Sequence, residues 1–371
     1  MRITIDATPL LLRSAGVKNY VYYWLVALRR LAGEAAVRTF PVPVRLGELN
    51  HEGSLASGPA TLAGLVRLHA SNYLRLPADW WSAPGDVFHA SQQLWNPPRR
   101  TAFTATLYDV TCWLMPEAHT AANVAAARHF AQRVLRRAAR LIAISENTRA
   151  DAVRLLGLPA EKIEVIYPGV AEAFFQVRPE AVELLKARYR LERPYVLFVG
   201  AIEPRKNLAR LLEAWQSLPA SLREEFELVL AGPPGWGDPS LLHRLRTAGS
   251  GAHYLGYVPE KDLPALTAGA ALFVYPSLYE GFGFPVAQAM AAGTPVLTSA
   301  ISSLPEVVGE AGELTDPYSV REIGAAIERL LASPARRAEL GARGARRARR
   351  FRWEECARQS WQFFERAAGG A

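Results

Sequence analysis

Two short runs of the chain concentrate the residues that can do chemistry. "VLFVGAIEPRKNLARLLEAW", Val196 to Trp215, sets Arg205 and Lys206 side by side just after an apolar run that ends in Gly200. An arginine supplies a planar two-pronged donor and a lysine a compact charge, so such a pair suits a diphosphate. The apolar run reads as a buried strand and a helix is expected from near Pro204. Both cations then fall in its first turn, where the helix dipole disfavours them unless an anion offsets their charge. A solvated pair at a helix end explains the same residues.

"SLYEGFGFPVAQAMAAGTPV", Ser277 to Val296, places Glu280 on a glycine-rich turn and Gln288 eight positions later. The turn follows a strand that ends at Tyr275 and precedes a helix with Pro285 near its first position, closed by Gly293. The amides of Gly281, Phe282, Gly283 and Phe284 are then candidates to bind an anion. A carboxylate beside an anion site is repulsive, so Glu280 makes sense there only if it holds something else, such as hydroxyls. A sugar attached to a diphosphate offers both groups together, and Gln288, one turn into the helix, addresses another part of the same elongated ligand. A third loop, in "DATPLLLRSAGVKNYVYYWLVALRR", carries Gly16 ahead of a helix beginning near Val17. It lacks the GxGxxG pattern of a dinucleotide site.

These loops need strands to present them. Short β-branched or apolar runs alternate with helical stretches along the whole chain, the pattern of parallel sheets built from βαβ units. The expected strands are Arg2 to Ala7, Val37 to Val44, Asp86 to Ala90, Phe103 to Leu107, Arg140 to Ile144 and Lys162 to Ile166, then Tyr195 to Gly200, Glu227 to Ala231, His253 to Leu255, Leu272 to Tyr275 and Pro295 to Thr298. The proline-punctuated stretch between the two series reads as a connection, with a boundary near residues 171 to 190. The expected organisation is an N-terminal domain over 1–175 and a C-terminal domain over 190–351, with a last amphipathic helix over 352–371 that can pack back on the first domain. In doubly wound sheets ligands collect outside the carboxyl ends of the strands, so the two domains are expected to face each other across a cleft.

Composition narrows the function classes. The 371 residues suit two domains with proper interiors, and no run of apolar residues is long enough to cross a membrane. The N-terminus reads as a strand rather than a signal peptide, so the expected location is cytoplasmic. Cys112 and Cys356 are the only cysteines, too few for a disulfide framework, and no metal-ligand spacing occurs. The net charge of +8 comes almost entirely from arginine and suits a polyanionic partner: nucleic acid, an anionic membrane surface or a phosphorylated small molecule. The first lacks any helix-turn-helix, zinc-finger or aromatic RNA-binding signature, so no specific nucleic acid is expected. Residues 122 to 140 read as a helix with Arg128, Arg136 and Arg140 on one side and Arg133 and Arg137 adjacent, a solvated basic face or one drawn to anionic lipid. Residues 60 to 81 are apolar and aromatic enough for a core, an acceptor wall or a membrane-touching edge.

Taken together, "FVGAIEPRKNLARLLEAW", "YLGYVPEKDLPALTAGAALFVYPSLYEGFGFPVAQAMAAGTPVLTS" and "SSLPEVVG" closely resemble the C-terminal half of the retaining family-four (group 1) glycosyltransferases, which have the GT-B fold of two Rossmann-like domains. "TLYDVTCWLMPE", "FHAS" and "IAISENTRADAVRLLGLPAEKIEVIYPGV" extend the likeness over nearly the whole chain except about residues 45 to 80. The EPRKN and LPEV variants look most like the branch containing mannosyltransferases of polysaccharide assembly.

The resemblance implies metal-independent transfer of a hexose, mannose or glucose in type, from a GDP-, UDP- or ADP-linked donor to a glycan, lipid-linked or small-molecule acceptor, with the anomeric configuration kept and no cofactor. It implies that Arg205 and Lys206 meet the diphosphate, Glu280 the sugar hydroxyls, the Gly281 to Phe284 amides the sugar or phosphate, and that Gly16 closes over the donor phosphate. Gly200 belongs to the donor site, and the acceptor lies mainly on the N-terminal domain. Peripheral contact with the inner face of an anionic membrane fits the same picture. Two residues depart from the family pattern: Gln288 stands where a second glutamate is usual, and Tyr108 precedes Asp109 where a histidine is frequent. Tyr108 and Asp109 remain candidates for sugar or acceptor contacts or for loop anchoring. Alanine at Lys206 or Glu280 is expected to abolish transfer and to leave the melting temperature nearly unchanged. The alternative is a sugar-nucleotide-binding or epimerase-like protein of the same fold without transferase activity.

Overall fold

The computed structural model describes residues 1–371 except 14, 15, 75, 82–84, 97, 236–238, 247–250, 370 and 371. The chain forms two compact units, one of Met1–Gly169 with Phe351–Ala371 and the other of Val170–Arg350.

In unit 1 the strands β1 (Ile3–Asp6), β2 (Val37–Phe40), β3 (Val87–Ala90), β4 (Ala102–Leu107), β5 (Arg140–Ala143) and β6 (Ile163–Val165) form one parallel sheet in the order β2-β1-β3-β4-β5-β6. Every residue of β1 and β3 is buried, as expected of strands covered by helices on both faces. The expected strand over Val37 to Val44 stops at Phe40, because Pro41 has no N–H to continue the ladder. Helices α1 (Gly16–Ala32), α2 (Gly58–Tyr73) and α3 (Ala121–Arg133) follow β1, β2 and β4. The single helix expected over residues 122 to 140 is broken: α3 ends at Arg133, a 3-10 turn takes Leu135–Arg137, and Arg140 opens β5. Val134, Leu135 and Ala138 are buried at that break, so core packing overrides the helical propensity of the run.

Unit 2 begins before the expected boundary. The stretch read as a connection carries α4 (Pro179–Tyr189), with Pro179 in the first turn where a missing N–H costs nothing. Near its end Arg188 Nη1 donates to Asp262 Oδ1 and Oδ2 (3.0 Å each) and Tyr189 OH to Asp262 Oδ2 (2.9 Å), tying it to the unit. Strands β7 (Tyr195–Val199), β8 (Glu227–Ala231), β9 (Ala252–Gly256), β10 (Leu272–Tyr275), β11 (Val296–Ser299) and β12 (Glu313–Thr315) make a second parallel sheet, in the order β12-β11-β10-β7-β8-β9. The edge strand β12 was not expected; three residues are too few to show a period. Helices α5 (Leu208–Gln216), α6 (Phe284–Ala291) and α7 (Leu304–Val308) follow β7, β10 and β11.

The last helix, α8 (Trp353–Gly369), belongs to unit 1. It buries Trp353, Ala357, Phe363 and Phe364, each large ring contributing about 2–3 kcal/mol. Trp24 Nε1 of α1 donates to Ser360 Oγ (2.9 Å), and Tyr20 meets Trp353 edge-on at 5.5 Å. A side chain at Gly169 would put its Cβ 2.2 Å from the Trp353 amide nitrogen, so only glycine lets the two segments touch.

Each sheet reverses its strand order once. In unit 2 the chain runs outward from β7 through β8 to β9, then returns to place β10 on the other side of β7. In unit 1 the corresponding place lies between β1 and β3. At such a point the connections on neighbouring strands leave in opposite directions and open a crevice at the carboxyl ends.

Candidate active site

The reversal point of unit 2 collects the residues singled out in the sequence. After β7, Gly200 leads into a loop pressed against β8: a Cβ on Gly232 (φ +153°) would lie 1.9 Å from the Gly200 carbonyl oxygen. Pro204–Lys206 then forms its own 3-10 turn, and Asn207, at φ +62°, precedes α5. Arg205 and Lys206 are thus not in the first turn of the helix, as expected, but one turn ahead of it. Asparagine tolerates the left-handed backbone. Its Nδ2 donates to the carbonyls of Pro276 (3.0 Å) and Pro317 (2.7 Å), binding the β7 loop to the loops after β10 and β12.

This turn delivers both cations to Glu280, which follows β10. Lys206 Nζ lies 2.7 Å and Arg205 Nη1 2.9 Å from Glu280 Oε1. Tyr275 OH (2.9 Å) and Ser277 Oγ (2.7 Å) donate to the same oxygen, and Lys206 Nζ also donates to Tyr275 OH (2.5 Å). Glu280 Oε2 receives no hydrogen bond from the described residues. Glu203 Oε2 stands 3.4 Å from Arg205 Nη2, so two cations and two carboxylates balance. The anion that offsets Arg205 and Lys206 is therefore supplied by the protein itself, which the sequence reading did not foresee.

Burial and charge compete at this cluster. Burial alone would raise the Glu280 carboxyl, but the charges of Arg205 and Lys206 and the hydrogen bonds from Lys206 and Ser277 outweigh it and hold the pKa at about 2. Lys206 is pushed below its ordinary value by burial and then by Arg205, against the pull of Glu280 and Glu203. Burial and the Glu280 charge push the Tyr275 phenol well up, so it stays protonated as a donor. Removing one member of such a network leaves a buried charge uncompensated. On this geometry, alanine at Lys206 or Glu280 should lower the melting temperature, contrary to the expectation that it stays nearly unchanged.

The Glu280 loop is held from β11. Glu280 N donates to Ser302 Oγ (3.2 Å), Ser303 Oγ donates to the carbonyls of Glu280 and Phe282 (2.9 Å each), and Ser299 Oγ to that of Ser277 (2.6 Å). Gly283 has φ +100° and a Cβ there would meet Leu304 Cδ2 at 2.7 Å, which accounts for glycine before α6 and leucine after the two serines. Tyr275, Ser277, Asn207, Ser302 and Ser303 escaped the sequence reading. Their presence inside the quoted motifs was the only signal.

Gly281, Phe282 and Gly283 are buried in this loop, Phe284 opens α6, and the Phe282 and Phe284 rings meet edge-on at 5.4 Å. Gln288 lies one turn into α6, 8 % exposed, and its side chain makes no hydrogen bond to the described residues. The other candidates belong to unit 1. Gly16 is exposed at the start of α1 with open space about it, and its neighbours Ser14 and Ala15 lie outside the described residues. Tyr108 is buried edge-on against Tyr20 (5.3 Å). Asp109 accepts from Thr111 N (3.1 Å) and Oγ1 (2.7 Å), anchoring the turn that follows. Among the described residues no group of three His, Cys, Asp or Glu is placed to hold a metal ion.

Two parallel sheets with flanking helices and a charged constellation at a reversal point define a Rossmann-like, nucleotide-handling class. Known proteins agree. The family model "Glycosyl transferases group 1" matches residues 184–347, and "Glycosyltransferase Family 4" matches residues 14–174. Over 278 residues the chain is 36% identical to the O-antigen chain mannosyltransferase B of Escherichia coli, covering 74% of this chain and 73% of that one. Its fold is similar to that of sucrose-phosphate synthase from Thermosynechococcus elongatus (TM-score 0.74, 21% identity, all of both chains) and of Anabaena Alr3699/HepE, solved with UDP and glucose (TM-score 0.72, 20% identity, 98% of this chain and 99% of that one). The chain belongs to the group 1, family-four glycosyltransferases and has their GT-B fold.

Proposed function

We propose that this glycosyltransferase moves a hexose, of mannose or glucose type, from a nucleoside-diphosphate donor to a glycan, lipid-linked or small-molecule acceptor, without a metal and with retained configuration. The observation that carries the reading is the convergence of Lys206, Arg205, Tyr275 and Ser277 on Glu280 Oε1, past the carboxyl end of β10, with no described residue hydrogen-bonded to Oε2. In this proposal Oε2 takes hydroxyls of the donor sugar. Lys206 and Arg205, already desolvated, turn part of their charge to the diphosphate, helped by the Gly281 to Phe284 segment at the positive end of α6. Gln288, buried with no side-chain hydrogen bond to the described residues, lies at the nucleotide end in this proposal. Unit 1 binds the acceptor, and the enzyme works in peripheral contact with an anionic membrane surface. The mannosyltransferase relative supports the sugar class, and the UDP complex of the structural neighbour supports the donor class.

As the bond from the anomeric carbon to the β-phosphate oxygen breaks, negative charge grows on the phosphate and the sugar becomes oxocarbenium-like. Fixed cations aimed at that oxygen stabilise the transition state more than the ground state. The acceptor oxygen bonds to the anomeric carbon from the face the phosphate leaves, and its proton passes to the departing phosphate, so configuration is kept.

The test is release of nucleoside diphosphate with formation of a glycosylated product. Lys206→Met keeps the stem and removes the charge; its rate should fall about 100-fold to 1000-fold, while a normal rate would remove Lys206 from the site. Donor bound by the wild-type protein but never transferred to any acceptor would favour the alternative, a sugar-nucleotide-binding protein.

A further inference from the structure

Helix α2 is built inside out. Its face towards the rest of unit 1 carries Gly64, where a Cβ would meet Leu11 Cδ1 at 2.8 Å, Arg67, whose Nη1 donates to the Pro41 carbonyl (3.0 Å), and Ser71, whose Oγ donates to the Leu76 carbonyl (2.9 Å). Its solvent face carries Leu62, Val66 and Tyr73, exposed by 66%, 60% and 60%, at the spacing of one helical stripe. Leu74 (68%), Trp80 (60%) and Trp81 (39%) continue the apolar surface beyond the helix end. A folded domain ordinarily turns such a stripe inward; exposed and extended, it marks an interaction surface.

Hydrogen bonds and ring contacts set arginines at the edge of this surface. The Asp79 carboxylate, next to Trp80, accepts from the Arg99 (3.1 Å) and Arg100 (2.8 Å) amides, so both exposed arginines border the tryptophans. Asn72 of α2 donates from Nδ2 to the Gln93 carbonyl (3.0 Å) and accepts from Trp95 N (2.9 Å). The Trp95 ring stands 5.4 Å from Tyr73 and 4.9 Å from His129 of α3, which brings in the exposed Arg128 and Arg133. The sequence around the surface is correspondingly one-sided. Residues 118–145 contain five arginines and no acid, and residues 53–108 hold only two acids, Asp79 and Asp86, both accepting main-chain N–H groups.

We infer that this face of unit 1 docks on an anionic phospholipid bilayer, with Leu62, Val66, Leu74, Trp80 and Trp81 entering the interface and Arg99, Arg100, Arg128 and Arg133 lying at the headgroups. An apolar stripe beside tryptophans suits the boundary between acyl chains and headgroups, and arginines near an anionic surface each strengthen binding about five-fold. The inference deepens the membrane contact of the proposed function by naming the surface that makes it.

The test is co-sedimentation of the full chain with vesicles of phosphatidylcholine alone or mixed with phosphatidylglycerol, across a salt series. The wild-type protein should pellet with the anionic vesicles and leave them as salt rises. The double variant Trp80→Ala/Trp81→Ala should lose at least ten-fold in partitioning, and Arg99→Glu/Arg100→Glu should lose most at low salt. Equal binding of all proteins, or no binding by the wild type, would overturn the inference. So would a wild-type dimer on gel filtration that Leu62→Ser/Val66→Ser converts to monomer without altering vesicle binding, since the stripe then belongs to a second copy. Stabilisation by nucleoside diphosphates, followed as the rise in Tm, reads the donor site in unit 2 separately. Vesicle binding without that rise would refute the donor reading alone.

Discussion

Both sheets place a buried carboxylate where their strand order reverses, and the two behave in opposite ways. In unit 1, Asp6 ends β1 with neutral donors: Thr8 N (3.1 Å) and Oγ1 (2.5 Å) bond Oδ1, and Ser91 N (3.2 Å) and Oγ (2.6 Å) bond Oδ2. Burial raises its pKa, and the four hydrogen bonds only partly offset the rise. In unit 2, Glu280 is also buried but faces Arg205 and Lys206, and its pKa falls to about 2. Burial pushes both carboxyls upward; the cations decide the sign. Two sheets of one general design therefore present different electrostatics at equivalent places. Both oxygens of Asp6 are hydrogen-bonded and close its loop, whereas Glu280 has four donors on one oxygen and none from the described residues on the other.

The contrast breaks most visibly in stability. Glu280→Ala leaves Arg205 and Lys206 buried without the carboxylate they share, at a cost of about 3–5 kcal/mol. Asp6→Asn places an amide N–H against the N–H of Thr8 or Ser91, at a cost of about 1–3 kcal/mol. Urea midpoints of the two variants measure the difference; Asp6→Asn should also keep its stabilisation by nucleotide, because Asp6 is in the other unit. Equal losses, with nucleotide stabilisation gone in both, would mean that the cations give Glu280 no special standing.

Acid separates the two next. The folded pKa of Glu280 lies below its ordinary 4.5, so the fold favours the charged form. Its contribution is complete above pH 4.5 and is lost as pH falls towards about 2, by about 3 kcal/mol in all. Asp6 has the opposite sign: its folded pKa is raised, so the fold favours the protonated form, and its contribution grows as pH falls. Unfolding free energy of the wild type measured below pH 4.5 should drop more steeply than that of Glu280→Ala, and parallel curves would remove the cation effect.

The smallest effect is expected at Gln288. In the proposed site, a carboxylate introduced by Gln288→Glu should be a stronger acceptor for ribose hydroxyls by about 1 kcal/mol, giving roughly a five-fold lower donor KM with little change in kcat. An unchanged KM would place the residue away from the nucleotide.

How far the chain could be read beforehand depended on how local each signal was. Buried strands such as β7 and β10 announce themselves in four or five residues, and the glycine turn around Glu280 is legible because glycine and proline act on their own backbone. The strand β12 is only three residues long, too short to show an alternating period. The Pro204–Lys206 turn reads in sequence as the start of α5 because only the left-handed backbone at Asn207 separates them, and asparagine is compatible with either conformation. The helix expected over residues 122 to 140 was broken by burial at Val134 and Leu135, which helical periodicity does not show.

By itself the sequence determined the alternation of strands and helices, the family, and the two loops that carry Arg205, Lys206 and Glu280, since hydrophobic period, turn residues and charge type are properties of short segments. Tertiary structure alone decided that β10 lies beside β7, and so that Lys206 meets Glu280 across 74 residues, with Tyr275 and Ser277 on the same oxygen. It also decided that the apolar stripe of α2 faces outward. Both outcomes rest on contacts between segments distant in the chain, where burial and neighbouring charge, rather than residue type, set what a side chain does.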